Sequence, residues 1–428
     1  MQPLLSHARI ALRKLLKSPW FTLTAVLVLG FAIGVNTAIF SLIDTVLLKA
    51  LPFPKPSQLV QIRYQTQTET GGMMDYPGYA DLARSQHTFQ GLTFLIHDKF
   101  DWQRREKPIR LDGDYASPSL FRVTDLPFLI GRPYNASEDV PNGPRVVVLS
   151  EQFWRTGLGS DPDVIGKNLK LSGQSFEVIG VCPQQASDAL ATRPDLSLPT
   201  NIATLYDYEI PRRDQRFGNC VGRLKPGVSL NQAQADLSLI RKNLNVTHPE
   251  YNGVQIRLLP LLASTVADYS STLWLVFAAA GCLLLISGAN ITNLLFSRAL
   301  ERRSEMTLRA TLGASRSRLF AQLLFETTLL SFLGGGMGIL IAAWLIDLIK
   351  AFVPQNLFRL HEVSLNLTAL LFILVATLFL GLFSGLIPAW SVSKVSLAST
   401  LREEGSRGGT SGPKRQRTRY NRKLWMTG

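Results

Sequence analysis

The sequence is poor in the residues from which most catalytic and metal centres are built. Its 428 residues include three cysteines and five histidines. Three cysteines make neither a disulfide framework nor a metal site, and the histidines are scattered. No H-E-x-x-H and no G-x-S-x-G occurs, so the usual signatures of zinc peptidases and serine hydrolases are missing. Gly166-Lys167 resembles the end of a phosphate-binding P-loop. However, Asp161 stands where that motif needs glycine, and Asn168 replaces the hydroxyl that would reach Mg²⁺. The stretch reads instead as a turn entering a strand. No catalytic residue, cofactor or metal is expected. Cys182 and Cys220 lie in a polar region and would either pair in an oxidising compartment or stay free thiols.

Acidic residues are also in deficit, 31 against 45 Lys and Arg, for a net charge of +14. The position of the excess excludes a nucleic-acid groove. Residues 50–270 carry 23 basic and 23 acidic side chains and are neutral. The surplus lies in residues 1–19 (+4), 298–318 (+4) and 393–428 (+7), each beside an apolar run. Basic charge confined to membrane flanks is the positive-inside pattern, whereas nucleic-acid binding needs a basic face on the folded domain.

Four apolar runs are present, and each is long enough to span a bilayer. Residues 1–19 form a basic amphipathic lead, with Pro19 and Trp20 at the membrane interface. Residues 20–48 read as an uncleaved first span, too long for a signal-peptide core and without an A-x-A-like cleavage site. Pro52, Pro54 and Pro56 then break the helix. Residues 50–270 read as alternating strands and helices. Strands are expected at Leu59–Tyr64, Arg145–Leu149, Asn168–Leu171 and Phe176–Val181, the last two forming a hairpin across Ser172-Gly173. Helices are expected at Tyr76–Ser85, Glu151–Thr156 and Leu230–Leu244, with Ser229 capping the last. The expected division is two α+β subdomains, about 50–185 with a return strand near Val254–Leu261, and about 186–250.

Three spans follow, at 272–297, 319–350 and 367–392, and then a basic tail, 393–428, with the composition of a disordered segment. The fold class is therefore an α+β membrane protein with four transmembrane helices, whose large domain is inserted between the first and second. Four spans place both termini and the 298–318 hinge on the cytoplasmic side, and the domain outside.

The hinge has helix signals of its own: Ser304 as N-cap, Glu305 in the first turn, Gly313 at the end and Ser315 to cap the next helix. Gly30/Gly34, Gly334/Gly338 and Gly381/Gly385 each form a G-x-x-x-G pair in a separate span, the spacing that lets helix backbones approach. Asn36, Asn290, Asn293 and Glu326 are polar groups in or near the spans. Such groups normally find partners in the bundle, and a hinge arginine is the expected partner of Glu326.

Four stretches carry a family resemblance: Asn36-Thr-Ala-Ile-Phe-Ser, Gly143-Pro-Arg-Val-Val-Val-Leu-Ser, Val221-Gly-Arg-Leu-Lys-Pro-Gly-Val-Ser, and Ala289-Asn through Arg309-Ala-Thr-Leu-Gly-Ala-Ser-Arg. With the layout of spans and domain, the sequence resembles the MacB/FtsX-type ABC permeases. Within that family it is similar to the first half of the duplicated orphan permeases of acidobacterial type. The resemblance implies a periplasmic core domain, an inner-membrane location and a separate cytoplasmic ATPase. It also implies mechanotransmission or export, in which ATP hydrolysis moves the periplasmic domain. The hinge would be the coupling helix, with Glu301, Arg302, Arg303, Glu305 and Arg309 at the ATPase interface and Gly313 and Ala314 shaping its end. A periplasmic adaptor is a further implied partner. Two other readings share the fold, an FtsX-like scaffold that activates a periplasmic partner and a lipoprotein-releasing permease. MacB carries its ATPase on the same chain, and the duplicated permeases continue into a second half; neither feature occurs in these 428 residues. The expectation is thus a homodimer, a complex with a separately encoded second half, or a remnant. In a dimer the first span would lie at the interface through Gly30 and Gly34.

Overall fold

Each apolar run folds as one long helix, and the polar sequence between the first two folds as a sheet. The computed structural model describes residues 15–66, 70–104, 107–125, 127–183, 194–201, 203, 212–301, 316–352 and 359–393. Helix α1 (Pro19–Ile43) continues into a π-type turn, Asp44–Leu48. The sheet region follows in the order β1 (Leu59–Gln65), β2 (Thr70–Gly72), α2 (Tyr76–Ser85), β3 (Phe89–Arg104), β4 (Lys107–Ala116), α3 (Ser119–Thr124), β5 (Ile130–Gly131) and β6 (Val146–Ser150). It continues with α4 (Glu151–Thr156), β7 (Asn168–Leu171), β8 (Gln174–Cys182), β9 (Leu196–Pro199), β10 (Asn219–Leu224), α5 (Leu230–Thr247), β11 (Gln255–Pro260) and α6 (Leu261–Thr265). The chain ends its described course with α7 (Ala267–Glu301), α8 (Arg316–Phe352) and α9 (Leu367–Ser393). Four of these helices are long and apolar enough to cross a membrane.

The chain separates into two compact units. One comprises Met1–Ala38, Ala278–Leu345 and Leu365–Gly428, and the other Ile39–Phe277 with Ile346–Ser364. The second unit holds the sheet, whose strands run β11-β1-β10-β3-β4-β9-β6-β8-β5. β7 pairs with β8 and also meets β3 at Trp102–Leu171, so β3, β4, β9, β6, β8 and β7 form a closed circuit. Phe100, Trp102, Leu111, Tyr115, Leu171 and Phe176 are among the core residues of that circuit. β6 (VVVLS) is buried along its whole length between β8 and β9, which suits its continuous apolar run.

Local signals set the helix starts. Asp75 caps α2 by accepting from Gly78 N at 2.6 Å, and Ser229 and Gln232 form a capping box at α5. Gln234 of α5 donates to Ile256 O (2.6 Å) and accepts from Leu258 N (2.8 Å). A side-chain amide thereby satisfies the outer edge of β11, an edge that would otherwise offer itself to another strand.

The expected division near residue 186 is not how the strands pair. β10, assigned by sequence to a second subdomain, lies hydrogen-bonded between β1 and β3 (Ile62↔Cys220, Phe94↔Cys220). β11, β1 and β10 therefore form one continuous stretch of the sheet, and the 16-residue β3 carries it on into β4. Non-local pairing of this kind leaves no mark on local composition. Cys182 and Cys220 are both free and buried in separate core clusters, so the open question of their pairing resolves to two thiols.

Candidate functional site

The membrane unit is held by residues small enough for backbones to meet. A Cβ placed on Gly30 would lie 2.7 Å from Met337 Cγ and 3.3 Å from the Gly334 carbonyl oxygen. One on Gly34 would lie 2.8 Å from Ile341 Cβ and 3.0 Å from Gly338 O. In return, Gly334 faces Leu29 (2.6 Å) and Gly338 faces Ile33 (3.0 Å). The G-x-x-x-G pairs of α1 and α8 thus face each other in one seam. The third pair makes a second seam between α8 and α9: Gly381 against Thr328 and Ser331, and Gly385 against Leu324 and Thr327. Across it Thr327 Oγ1 donates to Gly381 O at 3.1 Å. This placement corrects the expectation that Gly30 and Gly34 lie at a dimer interface. Both are buried inside the chain's own bundle, because α8 offers the matching small-residue stripe.

Polar side chains close the remaining sides of the bundle. Asn36, 1% exposed, donates its amide to Ala280 O at 2.8 Å and to Ala32 O at 2.9 Å, tying α1 to α7. Ser384 donates to Gly288 O at 3.3 Å, tying α9 to α7. The Arg298 guanidinium lies 4.3 Å from the Phe21 ring centre and donates to Ser18 Oγ. Asn290 and Asn293 are exposed on α7, and Glu326 is buried in α8. Of the expected coupling residues, Glu301 ends α7. Arg302, Arg303, Glu305, Arg309, Gly313 and Ala314 lie outside the described residues, as do the hinge arginines between 302 and 309 considered as partners for Glu326.

The sheet unit contains a clamp that the sequence reading did not single out. Arg359, 2% exposed, sits at φ 56°, a left-handed conformation that a non-glycine residue adopts under local strain. Its Nη1 donates to Lys49 O and Ala50 O, both at 3.1 Å, and its Nε to Glu362 Oε1 at 3.2 Å. Glu362 Oε2 accepts from Lys49 Nζ at 2.6 Å. Burial pushes the Glu362 carboxyl up, but the bonds and charges of Lys49 and Arg359 outweigh it and hold the carboxyl below its ordinary range. A cation thus caps the carbonyl end of the π-type turn that closes the first span, where the helix dipole favours positive charge. The available signal was an arginine in the short link between two spans.

Two profiles account for most of the chain. Residues 22–240 match the MacB-like periplasmic core domain, and residues 277–397 match the FtsX-like permease C-terminal region. The chain belongs to the MacB/FtsX-type family of ABC transporter permeases. Similar curated relatives include the macrolide export ATP-binding/permease proteins MacB of Hahella chejuensis, 25% identical over 70% of this chain and 44% of that protein, and of Syntrophobacter fumaroxidans, 28% identical over 73% and 49%. This permease chain therefore spans less than half the length of either relative. Among solved structures, the periplasmic region of MacB from Actinobacillus actinomycetemcomitans aligns over 50% of this chain and 94% of its own, at 17% identity and a TM-score of 0.39. A domain of a putative permease from Porphyromonas gingivalis aligns over 49% and 92%, at 16% identity and 0.38.

Proposed function

We propose that the chain passes conformational change from a cytoplasmic ABC ATPase to its MacB-like domain, as the permease subunit of an export or mechanotransmission complex. The supporting observation is the stiffness of the joints. β11 ends at Pro260, α6 occupies Leu261–Thr265, and α7 starts at Ala267, so a single residue separates α6 from the second span. On the other side the Arg359–Glu362–Lys49 clamp fixes the end of the first span to the link between the third and fourth. Short, bonded joints transmit displacement, whereas a Gly/Ser-rich linker would absorb it.

The hinge from Glu301 to Ala314 is the proposed docking element, with Arg302, Arg303, Glu305 and Arg309 meeting acidic and polar groups on the ATPase. ATP binding and hydrolysis fall to that partner, the domain faces the periplasm and both termini face the cytoplasm. The proposed partner in the membrane is a second copy or a separately encoded half. It would seat on α7, whose apolar window is 17% buried against 39–61% for the other three spans. The exposed face of that helix mixes small and polar residues, Ala278, Ala279, Cys282, Ala289, Asn290, Asn293 and Ser297, with the large apolar Leu275, Ile286 and Phe296.

The test is a charge reversal, R302E with R303E, followed by co-purification with the ATPase. Association and stimulated hydrolysis should fall while the sheet unit stays folded by circular dichroism. Normal association of the reversed variant removes the coupling reading.

A further inference from the structure

The core of the sheet unit contains a buried cation whose polar edge is unmet. Tyr64 on β1, Tyr251 after α5, Asp75 at the α2 cap and Arg241 on α5 are 1%, 0%, 0% and 3% exposed. The guanidinium carbon of Arg241 lies 4.3 Å from the Tyr64 ring centre and 4.1 Å from that of Tyr251. Both hydroxyls are turned to Asp75, Tyr64 donating at 3.1 Å and Tyr251 at 2.7 Å. Asp75 also takes the Gly78 N–H and needs no further donor. Among the described residues, Arg241 Nε, Nη1 and Nη2 meet no acceptor at hydrogen-bond geometry.

Two more arginines lie over the same rings. The Arg213 guanidinium is 5.7 Å from the Tyr251 ring centre, and its Nη1 donates to Tyr251 Oη (2.9 Å) and Asp81 (2.8 Å). Arg216 is 5.5 Å from the Tyr64 ring centre. Its Nη2 donates to Glu250 O at 3.5 Å. Among the described residues, three guanidinium groups thus face two carboxylates, and Asp81 is already shared with Arg84.

Stacking satisfies the faces of a guanidinium but not its edge, which carries five in-plane donors. Burying that edge without acceptors is costly, and an aliphatic side chain in the same slot would avoid the penalty. Planar donors of this kind match carboxylate and phosphate oxygens two at a time.

We propose that Arg241, with Arg213 and Arg216 on its outer side, anchors a binding site for a small oxyanion, the carboxylate or phosphate group of a small molecule held edge-on. The guanidinium edge is shut from solvent in this conformation. Binding therefore requires the Arg213 and Arg216 side chains to move aside, Arg213 giving up Asp81. The site lies wholly within the sheet unit and is independent of any coupling to an ATPase.

The test uses the full chain in detergent, titrated with inorganic phosphate or acetate against chloride at constant ionic strength. Thermal unfolding and calorimetry are the readouts. The wild type should show saturable stabilisation by at least one anion: phosphate alone identifies a phosphorylated ligand, and acetate alone a carboxylate. Arg241→Met should be at least as stable as wild type in chloride and should lose the response. Arg216→Gln, at a half-buried position that does not threaten the fold, should bind about tenfold more weakly, the effect of one charge-assisted hydrogen bond. The proposal is overturned if the wild type responds to neither anion, or if folded Arg241→Met keeps the response. Should Arg241→Met not fold, undiminished binding by Arg216→Gln overturns it instead.

Discussion

Substituting Gly34 by alanine tests the helix seam most sharply, because Gly336 on the partner helix supplies an internal control. A Cβ at Gly34 meets Ile341 Cβ and Cγ2 at 2.8 Å and Gly338 O at 3.0 Å, whereas at Gly336 nothing lies within 4 Å. Both changes gain about 1 kcal/mol of helix propensity. Only Gly34→Ala must also push α1 from α8 by a few tenths of an ångström, an overpacking cost of about 1–3 kcal/mol. Gly34→Ala should therefore be less stable than Gly336→Ala by about 1–3 kcal/mol. Adding Ile341→Ala should restore part of the difference, since the carbonyl of Gly338 remains in the way. Unfolding of purified variants by increasing SDS fraction in mixed micelles, followed by helical circular dichroism, gives the comparison. Equal stability of the two single variants would refute the seam.

Arg359→Met removes the buried donor of two carbonyls and one carboxylate. It should cost about 3 kcal/mol and speed amide exchange at residues 44–50, and unchanged exchange there would argue against the clamp. His97 is held above the ordinary imidazole range by its hydrogen bond to Asp114, with burial opposing and Asp112 and Asp98 adding. Its contribution is full below about pH 6.5 and is lost as pH rises through the raised value. The unfolding midpoint of the sheet unit should therefore drop as pH rises from about 6.5 through the raised value, and His97→Gln should flatten that slope. Burial pushes the Cys182 thiol up to about 12 and raises Cys220 as well, while Cys282 is exposed. Maleimide at neutral pH should label neither Cys182 nor Cys220 until the chain is denatured, and reduction should leave gel mobility unchanged.

Much of the architecture was legible because its signals are local. The four spans follow from run length, the β7–β8 hairpin from Ser172-Gly173 (φ 44° and 85°), and the start of α5 from Ser229. The longest strand was not legible. β3 carries His97, Asp98, Lys99 and Asp101, a charged run without the apolar alternation that marks a strand. In the sheet His97 lies across from Asp114, and Lys99 across from Asp112, so cross-strand pairing offsets charge that composition counts against a strand. The glycine pairs were visible as motifs, but their spacing does not say which helix receives them, and the choice of α8 as partner for α1 depends on Gly334 and Gly338 about 300 residues away. Arg359 and Arg241 were missed for the same reason: what marks each is its surroundings, not its neighbours in sequence.

The most direct measurement is the distance between the two units during ATP turnover. Spin labels on Leu16→Cys, an exposed position just before the first span, and on Leu239→Cys, an exposed position of α5, report on the membrane unit and the sheet unit in a Cys282→Ser background, while Cys182 and Cys220 are buried. In lipid nanodiscs with the ATPase, the distance distribution between the labels should shift when ATP with vanadate traps the nucleotide-bound state, and R302E with R303E should abolish the shift. An unchanged distribution in a complex that hydrolyses ATP would contradict the account.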